Sequence, residues 1–479
     1  MGRGEALSPG PIVEGPSTVV DPFADIEAHL AATAETRLGD YLDFLRIPSI
    51  STLPEHAADM RAAAGFVAER LARAGLEHVE VHPTGGHPIV YADWLHADGA
   101  PTALVYGHYD VQPVDPLELW VTPPFDPRVE GGRIYARGAA DDKAQVHLHL
   151  MAAQAWLAVR GRLPLNLRFV FEGEEESGSE HLDAWLEANR ARLAADVAVI
   201  SDTGFFDGNL PAITVGLRGI MYAQIDVTGP SLDLHSGMYG GTVMNPANAL
   251  AGIITALHDA DGRVAVTGFY DDVDPLSERD RAELARLPFD EEAYRAGIGV
   301  PALWGEAGFT VLERRGARPT LDVNGMWGGF QGEGAKTIIP AHAHAKVSCR
   351  LVPRQDPERI FRRLRDHVRA TAPAGVRVDT RLIHFAPASL TPIDHPATRA
   401  AAACLREVFG QEPVYIREGG SVPITASFES LLGLPVVLLG FTPPDDQAHA
   451  PNESMRLDNY EGGLRTIVRY WDALSRLRW

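Results

Sequence analysis

Thiols are nearly absent from this chain: its 479 residues include two cysteines, Cys349 and Cys404, far apart in sequence. No Cys-x-x-Cys occurs, which excludes a thiolate zinc knuckle, and two such cysteines exclude a disulfide framework. Two free thiols fit a reducing compartment, so a cytoplasmic location is expected. No run approaches the ~20 apolar residues of a membrane span. Residues 1–20 are rich in Gly and Pro, lack the apolar core of a signal peptide, and are expected to form a flexible lead-in. Basic residues are in deficit, 43 against 64 acidic, for a net charge of −21. That argues against nucleic acid or an anionic membrane as the main partner, and it suits a protein that binds cations. No internal repeat or low-complexity block is evident.

What is present is an ordinary globular composition, 45% hydrophobic and 22% charged, with enough chain for two to three domains. Leu38, Tyr41, Leu42 and Leu45 share one helical face, predicting a helix over 25–46 that stops before Pro48. A second helix is expected from Glu55 to Ala74, ended by Gly75. Strands are expected at 79–82, 89–94, 102–106, 165–171 and 197–200, with helices at 142–159 and 180–192 between the later ones. This alternation predicts an α/β fold, with a mixed, largely parallel sheet flanked by helices. After about residue 212 the pattern changes to strands at 213–219, 221–228, 346–353 and 376–384, with helices from Pro246 and at 357–371. That reads as an inserted α+β domain. From Pro396 the first pattern resumes, with a helix to Phe409 and an apolar strand at 435–440. The expected division is 21–212 plus 389–479 for the catalytic domain and 213–388 for the insertion.

Candidate ligands collect where strands end. Gly173-Glu-Glu-Glu-Ser-Gly-Ser179 follows the 165–171 strand, and three adjacent carboxylates must face water, a cation or both. By itself such a charge run reads as a solvated turn. His108 follows the 102–106 strand, with Asp110 two positions on and able to orient its ring. Asp202 follows 197–200, where a turn former is equally common. Asp141 and Asp142 sit where helix N-caps belong. His449 lies in a polar loop beyond 435–440. Each has a bland reading alone. Jointly they stand outside the carboxyl ends of the strands, where open α/β sheets bind ligands. Two histidines and several carboxylates suit zinc, with manganese or cobalt possible.

These residues carry a resemblance. Gly107-His-Tyr-Asp110, Arg137-Gly-Ala-Ala-Asp-Asp-Lys143, Glu174-Glu-Glu-Ser-Gly-Ser179, Ser201-Asp202 and Ala448-His-x-x-Asn-Glu453 resemble the dinuclear metallopeptidase family in order and spacing. That family includes aminoacylases, acetylornithine and succinyl-diaminopimelate deacylases, glutamate carboxypeptidases and carnosinase-type dipeptidases. Asp233-Leu-His-Ser-Gly-Met-Tyr-Gly-Gly241, Gly334-Ala-Lys-Thr-Ile-Ile-Pro340, Arg350-Leu-Val-Pro353 and Arg417-Glu-Gly-Gly-Ser-Val-Pro423 are similar to its carnosinase-like branch. The resemblance implies a phosphorylase/hydrolase-like catalytic domain and two divalent metal ions per chain, zinc first. Asp141 would bridge them, His108 and Asp202 completing one site and Glu176 and His449 the other. Glu175 would be the general base and Asp110 would hold His108. A water between the cations would give its proton to Glu175 and attack the amide carbonyl. The inserted domain would be a lid that forms a homodimer, from which His235 reaches the partner's active site. Arg350 would pair with the substrate carboxylate, with Thr337 and Ser421 as further substrate contacts. Ala144 departs from the Gly that the family carries after Asp-Asp-Lys, and 270–320 matches least.

The implied activity is cleavage of a dipeptide amide. The alternatives are an N-acyl-amino-acid deacylase with the same machinery and a non-catalytic peptide- or metal-binding relative. Retention of Glu175 argues against the last, since a binding module needs no base. Gly332-Glu-Gly-Ala-Lys-Thr337 lacks the Gly-Lys-Ser/Thr of a phosphate loop and is set aside. His342 and His344 have no acidic neighbour in sequence and are expected to face solvent. His147 and His149 are expected to be packing or surface residues.

Overall fold

The computed structural model describes residues 21–208, 210–420 and 423–479; the expected lead-in and Ser421 lie outside them. The strand–helix alternation builds a nine-stranded mixed sheet. Its middle strands run parallel, in the order Asn166–Glu172, Thr102–His108, Val197–Ile200 and Val436–Leu438. Ile89–Trp94 and Glu77–His82 extend one side in antiparallel pairing. Ala212–Leu217 extends the other side antiparallel, and carries Ser389–Leu390 and the parallel strand Val414–Glu418.

Strand periodicity explains why both faces of this sheet are covered. Successive side chains point to opposite faces. Val90, Ala92, Val105, Phe169 and Phe171 enter one core, which also holds buried residues of the helices Ala57–Ala74, Lys143–Arg160, Pro396–Phe409 and Leu457–Ser475. Their neighbours Ile89, Tyr91, Leu104, Tyr106 and Val170 enter a second core with Leu182, Leu186 and Phe428. Strands buried on both faces read as continuous apolar runs, as Val197–Ile200 does.

A separate four-stranded antiparallel sheet has the order Thr320–Gly328, His342–Leu351, Gly219–Thr228, Arg377–Ala386. Met221, Ala223, Ile225 and Val227 alternate onto its inner face, against Ile253, Ile360, Leu364 and Val368. The last three lie four residues apart on Pro357–Thr371, a helix that begins with Pro at its first position. The Asp356 side chain caps it by accepting from Arg359 N at 2.7 Å.

Several elements differ from expectation. The helix predicted over 25–46 is two, Ala24–Ala32 and Ala34–Leu45. They meet at Thr33, whose hydroxyl bonds back to His29 O at 2.8 Å, a competition with the helix ladder that bends helices. The strand Ala212–Leu217, expected to open the insertion at 213, belongs to the nine-stranded sheet. The helix expected over 180–192 is Leu182–Ala188. The unmatched 270–320 segment contains Glu278–Ala285, Glu291–Gly297 and Val311–Gly316, and its Leu284 and Leu287 pack on Ala212 and Ile416 of the large sheet. His344 is corrected too: its strand reaches back to His342, and its Nδ1 meets Asp226 Oδ1 of the paired strand at 2.5 Å. His147 and His149 are buried, as expected of packing residues. Among the described residues no helix is long and apolar enough to cross a membrane.

Candidate metal centre

The parallel strands end side by side, and residues at and just past their ends come together. Thr102–His108 delivers His108 from within the sheet, fully buried. The preceding Gly107 is required by close approach, since a Cβ there would lie 2.8 Å from Asp142 Oδ2. That carboxylate accepts from His108 N at 3.1 Å. Asp142 thus holds the end of the neighbouring strand, and its side chain does not cap the helix Lys143–Arg160.

Asp141 stands at the centre. Its Oδ1 lies 3.1 Å from His108 Nε2 and its Oδ2 lies 2.9 Å from His449 Nε2. His449 Nε2 is also 3.2 Å from Glu176 Oε2. Possible ligand atoms of His108, Asp141 and Asp202 all lie within 4.8 Å of one another, and so do those of Asp141, Glu176 and His449. The two groups share Asp141. All five ligand candidates read from the sequence are therefore gathered, three from at or just past strand ends and two from loops.

The acidic cluster resolves into different environments within one tight turn, Glu175–Ser177. Glu172, the last strand residue, accepts from Tyr106 OH at 2.5 Å and Ser179 Oγ at 2.9 Å. Glu174 pairs with His181 Nδ1 at 3.0 Å. Glu176 accepts from Gln112 Nε2 at 2.7 Å, while its Oε1 is buried without a hydrogen-bond partner. Asp110 braces both groups: its carbonyl lies 3.1 Å from His108 Nδ1, its Oδ1 3.3 Å from the same nitrogen, and its Oδ2 accepts from Glu176 N at 3.1 Å.

The site sets four carboxylates against two imidazoles, and its electrostatics follow from that. Burial pushes the Glu175 carboxyl well above the usual range; His108 opposes this, while Asp202, Glu176 and Asp141 reinforce it. Burial and then the Asp141 charge push Asp202 up to about 7. Burial opposes charge on His108, but its bonds to Asp110 and Asp141 outweigh it and hold the ring well above its ordinary value. Asp141 and Glu176 raise His449 to about 10. The same histidines hold Asp141 low against its burial. Protons on the histidines offset carboxylate repulsion here, a task a cation performs better. Two imidazoles, three carboxylates and an orphaned buried oxygen on Glu176 fit divalent transition metals.

The substrate candidates behave differently. His235 and Thr337 are exposed on the paired strands and loop beside the four-stranded sheet. His235 Nδ1 accepts from Gly237 N at 3.0 Å, and Thr337 O accepts from Ser236 N at 3.1 Å. Neither is among the residues gathered around Asp141. Arg350 is half-buried on His342–Leu351, and Arg218, between the strands Ala212–Leu217 and Gly219–Thr228, lies within reach of its charge and was overlooked in the sequence. Burial, then the charge of Arg350, lowers Arg218 to about 10. Also overlooked were Gln112 and the structural task of Asp142. Asp142 stands in the Asp-Asp pair, whereas a glutamine after a His-Tyr-Asp turn carries no signal of its own.

Comparison with known proteins agrees with this geometry. The model of Peptidase family M20/M25/M40 matches residues 104–473. The chain belongs to that family. It is 32% identical over 452 residues to the Cys-Gly metallodipeptidase DUG1 of Saccharomyces cerevisiae, covering 90% of this chain and 94% of that protein. It is 30% identical over 491 residues to the human Beta-Ala-His dipeptidase, covering 99% and 96% respectively. The solved structure of the di-peptidase Dug1p from Saccharomyces cerevisiae superposes with a TM-score of 0.80 at 30% identity, over 95% of this chain and 99% of that one.

Proposed function

We propose that this chain is a dinuclear metal-dependent dipeptidase. The observation that carries this reading is Asp141, whose two oxygens address two different histidines and so belong to two ligand groups at once. His108, Asp141 and Asp202 would hold one divalent cation, and Asp141, Glu176 and His449 the other, with zinc favoured by the donor set. Such ions supply Lewis acidity to a carbonyl oxygen and acidify a water. Glu175, next in chain to Glu176, takes the proton of the attacking water and passes it to the leaving nitrogen. Its raised pKa belongs to the cation-free site; beside bound cations the carboxyl returns to the ionised form that a base requires. Asp110 holds His108 and the Glu176 amide in place.

Arg350 binds the substrate carboxylate. Burial lowers both Arg350 and Arg218, and the charge of Arg350 lowers Arg218 further, with Asp322 opposing; this concentration of positive charge supports a carboxylate contact at Arg350. Thr337 and Ser421 are further contacts. The chain acts as a homodimer through the inserted unit, which we place at about 219–388, with 21–218 and 389–479 as the catalytic unit. His235 then reaches the partner's cleft and stabilises the oxyanion. Support comes from the exposed apolar side chains near it, Leu232 at 61% and Met238 at 73%. Two buried free thiols, Cys349 and Cys404, support a reducing, cytoplasmic setting.

The test is a substrate panel with added zinc, manganese or cobalt. Cys-Gly and β-Ala-His, named for two relatives, head the dipeptides. N-acetyl and N-succinyl amino acids form the other arm. Dipeptides are expected to turn over fastest. Turnover confined to acylated amino acids would make the chain a deacylase.

A further inference from the structure

Glu453 is fully buried, yet nothing in the proposed chemistry uses it. Its carboxylate is wrapped by the turn that carries Asp141. Oε2 accepts from Arg137 Nη1 at 2.7 Å and Gly138 N at 2.9 Å, and Oε1 accepts from Ala140 N at 2.8 Å and Asp141 N at 3.0 Å. Its own carbonyl accepts from Ala136 N at 3.1 Å. A buried ion pair with Arg137 would need one of these contacts; the other donors are backbone amides of a single turn. A second tether meets the same turn, where Tyr41 OH donates to Ala139 O at 2.5 Å.

Glu453 also ends the loop that carries His449. In that loop His449 and Asn452 adopt φ of 60° and 65°. Such left-handed conformations cost non-glycine residues free energy, least for Asn, and surrounding contacts help to hold them. Asn452 supplies some of those contacts, donating to Leu119 O and accepting from Val121 N. Asp446 accepts from Ala448 N and Ser454 N, and Glu453 joins the loop to the Asp141 turn with both its backbone and its side chain.

We propose that Glu453 is the positioning residue of the metal centre, fixing the shared carboxylate of Asp141 in register with His449. This rests on the dinuclear reading above. Because Asp141 serves both ligand groups, displacement of its turn weakens both sites together. Loss of a ligand that belongs to one group, such as Asp202, weakens mainly that site.

Glu453→Gln separates the cases. The amide is nearly isosteric, but it sets an NH2 against at least one backbone N–H or the Arg137 guanidinium. Zinc and cobalt affinities are read by competition with a chelator and by Co(II) absorption, and melting of the metal-free protein is recorded alongside. For Glu453→Gln, both ions are expected to bind about 10–100-fold more weakly, as on loss of a partner that orients ligands. Asp202→Asn should weaken mainly one ion. A Glu453→Gln protein that binds two ions with wild-type affinity, or loses affinity for one alone, overturns the proposal, whatever its melting temperature. Should it not fold, Arg137→Lys keeps the charge and gives up the fork that also reaches Pro113 O. Joint weakening of up to about tenfold is expected there, and unchanged affinities would overturn the proposal. A wild-type chain that fails to bind two ions refutes the dinuclear reading instead.

Discussion

His108 and His235 are both marked for chemistry by the motifs around them, and they stand in opposite circumstances. His108 is fully buried, held by Asp110, Asp141 and a backbone bond to Asp142. His235 is exposed, with its ring nitrogen satisfied by a local amide. The first residue is pre-organised by one chain, because parallel strand ends bring distant segments to one place. The second sits beside a smaller sheet, where among the described residues its ring meets only a local amide. The contrast predicts that variants at the Asp141 cleft and at the smaller sheet fail in different ways.

The largest effect should come from Glu175→Gln, which keeps the ligands and removes the base. A kcat loss of about 10²–10⁴-fold is expected with metal content unchanged. Unchanged turnover would remove Glu175 from the mechanism. His235→Ala should lower kcat by about 10²–10³-fold, the scale for losing one oxyanion donor, again with metal content intact. Mixed dimers sharpen this: combining His235→Ala with Glu175→Gln subunits should restore one competent cleft per dimer if His235 acts across the interface. No recovery would place its action within its own chain, or nowhere. Arg350→Lys should act mainly on KM, raising it about tenfold as a bidentate contact is lost, with kcat nearly kept.

The smallest effect is on pH dependence of metal uptake, and its sign follows from the cleft. In the cation-free protein His449 carries a proton up to about 10, and Asp202 up to about 7. Protons compete with cations for the same lone pairs. Affinity should therefore rise with pH towards about 10, most steeply below about 7, where Asp202 adds a second competing proton. Chelator competition at several pH values measures the slope; a flat profile would mean that these groups are not ligands.

The same contrast governs how much was legible in the sequence. The strands 89–94 and 197–200 and the helices 357–371 and 396–409 have the expected bounds, because short apolar runs mark the strands and helical periodicity marks the helices. His108, Glu176 and Asp202 were legible because they stand at or just past strand ends, and Asp141 and His449 because the motifs around them match in order and spacing. The strand Ala212–Leu217 is buried at every position, so its pattern holds no clue to which sheet receives it. The helices in 278–297 bury little beyond Leu284, which leaves a polar segment without a readable face. The break at Thr33 depends on one side-chain bond, and Glu453 reads in sequence as one more polar loop residue. Its task appears only when a turn more than 300 residues away closes around it.

The central claim is that one carboxylate, Asp141, serves two metal ions. Metal analysis of the purified, active protein beside Asp141→Asn tests it most directly. The account predicts two divalent ions per chain in the wild type and loss of both in the variant. Full activity with a single ion, or an Asp141→Asn protein that retains either ion at wild-type affinity, would contradict it.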